Sequence, residues 1–374
     1  MSGREAVPCL IAIILSLVTG FAWADPVPLH PKICVYSSAY YKISGSALRS
    51  QTLQRSHDMA FEDESFRQFK MLSAKDEVEL VSELETAAAQ GCRVIVGLHT
   101  SRECLIGGPT AKKHGMTIVS PTCAHDEVSK FSPHIFVGAG SIQDFSMAVA
   151  NQVERMVSNR ISENVLVISQ AGDVFSKKSL ETLQSKISPS IPLKIFVANR
   201  AGELPAKQLK EIRDLKGSRA FVFVTYPLIA ASVLGQLEAN GEKFERDSLV
   251  GSSSWTFDLS LLKIRASAIA SFKNAWMPEP FRAEDFEKSE FSRKYKQKFG
   301  ETPLGFHVIS YDLTRMAIQC FRKSELIRDF DREFQKCMTA GAHAGVAGAL
   351  RFLPGQVFAR RDIRLAEMRS RLMP

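Results

Sequence analysis

The sequence contains no C-x-x-C pair, no H-E-x-x-H and no other zinc-ligand spacing among its eight histidines, so neither a metal centre nor a cofactor is expected. A Walker loop is absent, because GGPTAKK (107–113) has neither the spacing of G-x-x-x-x-G-K-S/T nor a place directly after a strand. GAGSIQ (138–143) lacks the third glycine of the dinucleotide fingerprint, and the G-x-S-x-G elbow of serine hydrolases does not occur. No apolar run reaches the ~20 residues that a membrane-spanning helix needs. Neither a tandem repeat nor a low-complexity segment is present. These gaps argue against nucleotide chemistry, metal-assisted hydrolysis and a solenoid.

What is present begins with a secretory signal. Arg4 precedes the apolar run CLIAIILSLVTGF, about 13 residues long, and the small-x-small triplet Ala22-Trp23-Ala24 precedes DPVPLHP. Cleavage is expected after Ala24, giving a freely diffusing periplasmic protein; Cys9 lies before the apolar core, so no lipid attachment is indicated. The remaining chain of about 350 residues suggests two domains. The formal charge of +8 is spread over the chain. Its densest group, Arg360, Arg361, Arg364, Arg369 and Arg371, carries no interleaved aromatics, so a solvated surface is the better reading and no nucleic acid partner is expected. Six cysteines follow the signal, an even number in an oxidising compartment. Cys320–Cys337, flanking two helical patterns, is the first expected pair and Cys92–Cys104 the second.

Along the chain, strand patterns alternate with helical ones. KICVYSSAYY (32–41), SFRQFKML (65–72), RVIVGL (93–98), residues 116–120 and HIFVGAG (134–140) read as strands, with helices at 47–63, within KDEVELVSELETAAAQG (75–91), at 105–114 and at 143–159. A second series follows: NVLVIS (164–169), LKIFVA (193–198), AFVFVT (220–225) and SLVGSS (248–253), with helices near 175–187, 204–216 and 228–240. ASAIASFKN (266–274) reads as a further strand, and 285–300 and 306–323 as helices. Short apolar strands between helices point to α/β architecture: two doubly wound, Rossmann-like lobes with parallel sheets.

In such sheets ligands bind beyond the carboxyl ends of the strands, where loops enter helix N-termini. The candidates there are hydroxyls, backbone amides and aromatics: Thr100, Ser101, Thr122, Phe175, Tyr226 and the run Ser252-Ser253-Ser254-Trp255. Helix N-terminal amides hold carboxylates, and aromatic side chains exclude water. Each residue alone reads equally well as a cap or core residue; their common end of two lobes favours a ligand site. CAHD (123–126) places a cysteine two residues from a histidine without an orienting partner, so no catalytic residue is assigned.

With these blocks in place, the chain resembles the type I periplasmic binding proteins, specifically the branched-chain amino-acid (leucine/isoleucine/valine) solute-binding family of ABC importers. The match lies in RVIVGLHTSRECLIGGPTAKKHGMTIVSPTCA (93–124), in FSRKYKQKFGETPLGFHVISYDLTRMAIQCF (291–321) and in GVAGALRFLPGQVFARRDIRLAEM (345–368). The resemblance implies two hinged lobes joined by three crossovers. The lobes are placed at 25–142 plus 268–335 and at 143–267 plus 336–374, after the signal at 1–24. It also implies a monomer that presents a small molecule to an ABC permease or a membrane receptor. Ser101 matches the loop serine that holds the ligand carboxylate, and Thr122 and Ala124 the positions after Ser-Pro. Phe175 and Tyr226 match aromatic positions.

The departures bear on the ligand. Ala124 stands where a threonine is usual, and Ser253 approximately where amino-acid binders carry an acid that neutralises the ligand ammonium. SSAYYKISGSA (37–47) replaces the glycine-rich opening after the first strand. An unpaired ammonium in a closed cleft costs several kcal/mol, so the fold is expected to be kept and the ligand changed. The leading expectation is non-catalytic binding of a carboxylate, an amide or an amino-acid-like molecule for import. A sensory module of the same fold is the alternative, and a secreted hydrolase using the 252–254 hydroxyls or Cys123 a distant third.

Overall fold

The computed structural model describes residues 31–38, 47–257, 262–281 and 283–368. Outside them lie the signal peptide with its expected cleavage after Ala24, most of SSAYYKISGSA, and Arg369 and Arg371 of the basic group. Among the described residues no helix is long and apolar enough to cross a membrane.

The first series runs β1 (Lys32–Ser38), α1 (Ala47–Asp63), β2 (Phe69–Ala74), α2 (Glu77–Ala89), β3 (Cys92–Val96), α3 (Ser101–Lys113), β4 (Thr117–Ser120) and β5 (Ile135–Val137). Its five strands form a parallel sheet in the order β2-β1-β3-β4-β5. Alternate residues feed two cores. Ile33, Val35, Val94, Val96 and Phe136 face one layer of helices, while Cys34, Tyr36, Ile95, Ile118 and Val137 face the other. Burial on both faces is why these strands read as continuous apolar runs.

α4 (Ile142–Ser158) then leads into the second lobe: β6 (Asn164–Gln170), α5 (Val174–Lys186), β7 (Leu193–Ala198), α6 (Ala206–Asp214), β8 (Arg219–Phe223), α7 (Pro227–Ala239), β9 (Ser248–Val250), α8 (Ala266–Ser271) and β10 (Asn274–Glu279). The chain returns through α9 (Ala283–Glu287), α10 (Glu290–Phe299), α11 (Gly305–Ser324), α12 (Phe330–Thr339) and the short pair β11 (Ala342–His343) and β12 (Leu350–Arg351), and ends its described course in β13 (Arg364–Glu367). The second sheet has the order β13-β10-β9-β8-β6-β7, parallel except for β13 against β10. It too is covered on both faces, with Leu166, Ile168, Phe221 and Phe223 on one side and Val165, Val167, Ala220 and Val222 on the other.

Three expectations change. Residues 266–274 are not one strand: 266–271 form a helix, and the strand begins at Asn274, paired with Ser248. The alternating Ala/Ser/Ile run fits either period, and the strand lies in the following Ala275-Trp276-Met277. The lobe boundaries at 268 and 336 also move. β10 belongs to the second sheet, whereas Phe334, Met338, Leu350, Phe352 and Ala359 pack in the first-lobe core. The crossovers therefore stand around residues 138–142, 279–283 and 359–364; the third runs beside β5, where Val137 accepts a hydrogen bond from Ala359 N–H and donates to the Val357 carbonyl, both at 2.8 Å.

The disulfides are Cys34–Cys92, Cys104–Cys123 and Cys320–Cys337. The last is the first-expected pair, but Cys92–Cys104 is not formed. Cys92 opens β3 and Cys104 lies in the helix after its far end, and a five-residue strand at ~3.3 Å per residue separates the ends beyond disulfide reach. Cys123, bonded to Cys104, has no thiol to act as a nucleophile.

Candidate functional site

Residues that follow β4, β6 and β8 meet in one cluster, and the first lobe's contribution begins with an unusual strand exit. Gly97 has φ +119°, and a Cβ there would stand 2.6 Å from the Tyr36 carbonyl oxygen, so only glycine fits. Leu98 follows at φ +59°, a left-handed conformation costly for a side chain of this size. Its buried side chain, and its carbonyl accepting from the Ser120 hydroxyl at 2.6 Å, hold the turn. The turn delivers His99 to the interior and Thr100 to the cap of α3.

The polar candidates divide into those whose side chains build the loop and those whose side chains do not. The Thr100 hydroxyl accepts from Glu103 N–H at 3.1 Å, while the Glu103 carboxylate accepts from the N–H groups of His99 and Thr100, each at 2.9 Å; this is a capping box. The Thr122 hydroxyl donates to the His99 carbonyl. Both threonine side chains are thus engaged in fixing the loop. Ser101 occupies the first turn of α3, 4% exposed, and its hydroxyl makes no hydrogen bond to the described residues. Ala124 is buried, and its carbonyl accepts from Ile142 N–H at 2.7 Å where the chain enters the second lobe.

The second lobe presents apolar surface. Asp173 caps α5 by accepting from Ser176 N–H at 2.6 Å and so sets Phe175 in the first turn. The Phe175 ring lies 5.2 Å from that of Tyr226, which precedes Pro227 at the start of α7. Ala124, Ala139, Ile142, Phe145 and Phe175 form one cluster, with Tyr226 and Ile363 packed against it. The crossover residues Ile142 and Ile363 were not candidates from the sequence; each lies at a helix or strand start without a motif.

Ser253 is buried in a 3-10 turn and lines a cavity of about 20 Å³ with Phe145, Phe175, Leu183 and Phe223. No acid lines that cavity. The Thr225 carbonyl accepts from the hydroxyls of Ser252 (2.8 Å) and Ser254 (3.2 Å) and from Trp255 Nε1–H (2.9 Å), so these groups shape the loop.

Burial pushes the Asp173 carboxyl up from its ordinary range, against the lowering effects of the Ser176 amide and of Arg102 in the opposite lobe. Asp126 is raised for the same reason, partly offset by the Gln143 amide, the Ser141 hydroxyl and Lys178 of α5. These pairs act where α3 and the 126–131 turn approach α5. The described residues contain no group of three metal-ligating side chains.

Residues 75–371 match the model of the periplasmic binding protein family. Among solved structures, the chain superposes on a leucine-binding protein from Thermotoga maritima with a TM-score of 0.73 at 13% identity, over 89% of this chain and 94% of that one. A branched-chain amino-acid substrate-binding protein from Streptococcus pneumoniae in complex with isoleucine gives 0.69 at 15%, over 90% and 99%. An ABC-transporter solute-binding protein from Rhodopseudomonas palustris in complex with 3,4-dihydroxybenzoic acid gives 0.71 at 13%, over 90% and 93%. No curated relative matches the chain.

Proposed function

The chain belongs to the periplasmic binding protein family, and we propose that it closes without catalysis on a small organic acid or amide with an apolar body, and presents it to an ABC permease from the periplasm after cleavage at Ala24. The observation that carries this reading is the apolar cluster of Ala124, Ile142, Phe145 and Phe175, with Tyr226 packed against it, which draws on residues of both lobes. The amides of the first α3 turn and the Ser101 hydroxyl suit an anionic or carbonyl oxygen, while Phe175 and Tyr226 suit the apolar body. Contacts made with both lobes at once favour the closed form, since only differential affinity shifts such an equilibrium.

The organic-acid and amino-acid ligands borne by similar proteins are not equivalent for this cleft. The cavity beside Ser253 is lined by apolar residues and serines without an acid and offers an ammonium no counter-charge, so plain leucine, isoleucine or valine is expected to bind weakly. Native ligand carried through purification and identified by mass spectrometry, followed by isothermal titration, tests the proposal. Ser101→Ala and Phe175→Ala should each weaken binding of the identified ligand about tenfold or more. Tight binding of a branched-chain amino acid would overturn the ligand reading, and unchanged affinity in both variants would overturn the site.

A further inference from the structure

The imidazoles of His57 and His99 meet inside the first lobe, their ring centroids 5.5 Å apart. His57 on α1 is fully buried and His99 is 4% exposed. His99 directly precedes Thr100 and Ser101, and its backbone is pinned from both sides, by the Glu103 carboxylate on its N–H and the Thr122 hydroxyl on its carbonyl.

The hydrogen bonds fix which ring nitrogen of His57 carries the proton. The Thr314 hydroxyl donates its single hydrogen to the Ser310 carbonyl at 2.6 Å, so toward His57 Nδ1, 2.8 Å away, it acts as acceptor. Burial holds His57 down at about 3 and His99 well below its ordinary value, and both rings are neutral. His57 Nε2 is therefore a bare lone pair. It has no partner, and neither have His99 Nδ1 or the Ser310 hydroxyl, although all three atoms are buried. Native proteins seldom leave buried polar groups unpaired; here two belong to the paired imidazoles, one of which directly precedes the ligand loop, and the third lies one helical turn before Thr314, the partner of His57. Two rings do not make a metal site, and neutral rings do not neutralise an ammonium.

We propose that His57 and His99 are specificity residues that read a neutral hydrogen-bond donor on the ligand, an O–H or amide N–H given to His57 Nε2, so that hydroxylated or amide-bearing acids are selected over purely hydrocarbon ones. This rests on the reading of residues 97–101 as the first lobe's ligand loop. A site built to accept such a bond rejects an analogue that lacks the donor, because the acceptor is then left unpaired.

The test is isothermal titration of the full mature chain with matched carboxylates: benzoate against 4-hydroxybenzoate and 3,4-dihydroxybenzoate, and 4-methylpentanoate against its 2-hydroxy derivative. In at least one pair the hydroxylated member should bind about tenfold tighter or more. His57→Phe and His99→Phe should abolish the preference, whereas Ser101→Ala should weaken both members alike. Equal affinities within every pair, or a preference that survives His57→Phe, overturn the imidazole role and leave the cleft reading standing. Binding by no member, together with no ligand in the purified protein, overturns both. Ring ¹⁵N spectra of the unsubstituted chain supply a readout independent of folding in the variants: the His57 Nε2 signal should be that of an unprotonated nitrogen and move toward a hydrogen-bonded value when the preferred acid is added. A proton on Nε2 in the free protein, or no movement on binding, refutes the proposal.

Discussion

Replacing His307 by glutamine should remove much of the acid sensitivity of the first lobe without removing the contact that the histidine makes. His307 stands at the third residue of α11, 3% exposed, and its Nδ1 accepts from Leu304 N–H at 2.8 Å. Burial, with the positive charge of Arg55 in support, holds the ring down from 6.5 to about 3. Protonation would place a hydrogen on the very nitrogen that receives the Leu304 amide. Below pH 6.5 the unfolded chain takes up a proton that the folded chain refuses, so stability present above that pH is lost as pH falls. For these two values the loss between pH 7 and pH 5 is about 2 kcal/mol. His57, also held at about 3, loses a similar amount.

Asp312 opposes them. It is raised to about 6 by burial, and gains about 1 kcal/mol of stability as pH falls over the same interval, because its folded form takes the proton first. The histidines win, and acid should destabilise this lobe. Glutamine at the third helical position reaches back to the cap amide as the histidine does but does not titrate. Urea unfolding of His307→Gln at pH 7, 6 and 5 should therefore show a first-lobe transition whose stability falls by about 2 kcal/mol less than in the unsubstituted chain. Parallel pH dependences in the two proteins would refute the reasoning.

Gly97→Ala forces a methyl group to within 2.6 Å of the Tyr36 carbonyl at a positive φ, and should cost about 2 kcal/mol or more, seen as a lower Tm. Arg219 binds Asp247 at 2.7 Å and Glu242 at 2.8 Å, all with side chains at most 7% exposed; Arg219→Ala should destabilise the second lobe by about 3–5 kcal/mol in urea unfolding, by leaving Asp247 buried and unpaired. Opening Cys320–Cys337 by paired alanine substitution frees a loop of 17-residue separation and should cost about 3 kcal/mol at equilibrium, with a loss below 1 kcal/mol counting against the entropic account.

The two-lobed architecture was legible because parallel strands buried on both faces leave apolar runs such as Val94-Ile95-Val96 between helices with strong stops. What failed depended on distant partners. The 266–274 segment carries small residues compatible with either period, and the lobe switch points lie in short crossovers whose membership is set by strand pairing. The pairing of Cys34 with Cys92 follows from β1 lying beside β3, which no spacing reveals. Among the candidate residues, the place at a strand end or helix start was readable and the use of each hydroxyl was not. A hydroxyl at a strand end can face a ligand or its own backbone, and Thr100, Thr122, Ser252 and Ser254 all bond within the loops. His57 and His99, far apart in the chain, gave no motif at all.

For the proposed site, that division has a consequence for how the cleft would work. Hydroxyls engaged within the 97–101 and 122–124 loops hold the Ser101 end of α3 in one geometry, so the first lobe offers a polar surface already in place. The second lobe contributes mainly Phe175, Tyr226 and Phe145, whose burial is non-directional. Apolar contact alone would close the lobes on many bodies of the right size. Discrimination must therefore come chiefly from polar atoms of the first lobe, and the His57–His99 pair is where substitutions should change which ligand binds, whereas Ser101 and Phe175 should change how tightly any of them is held.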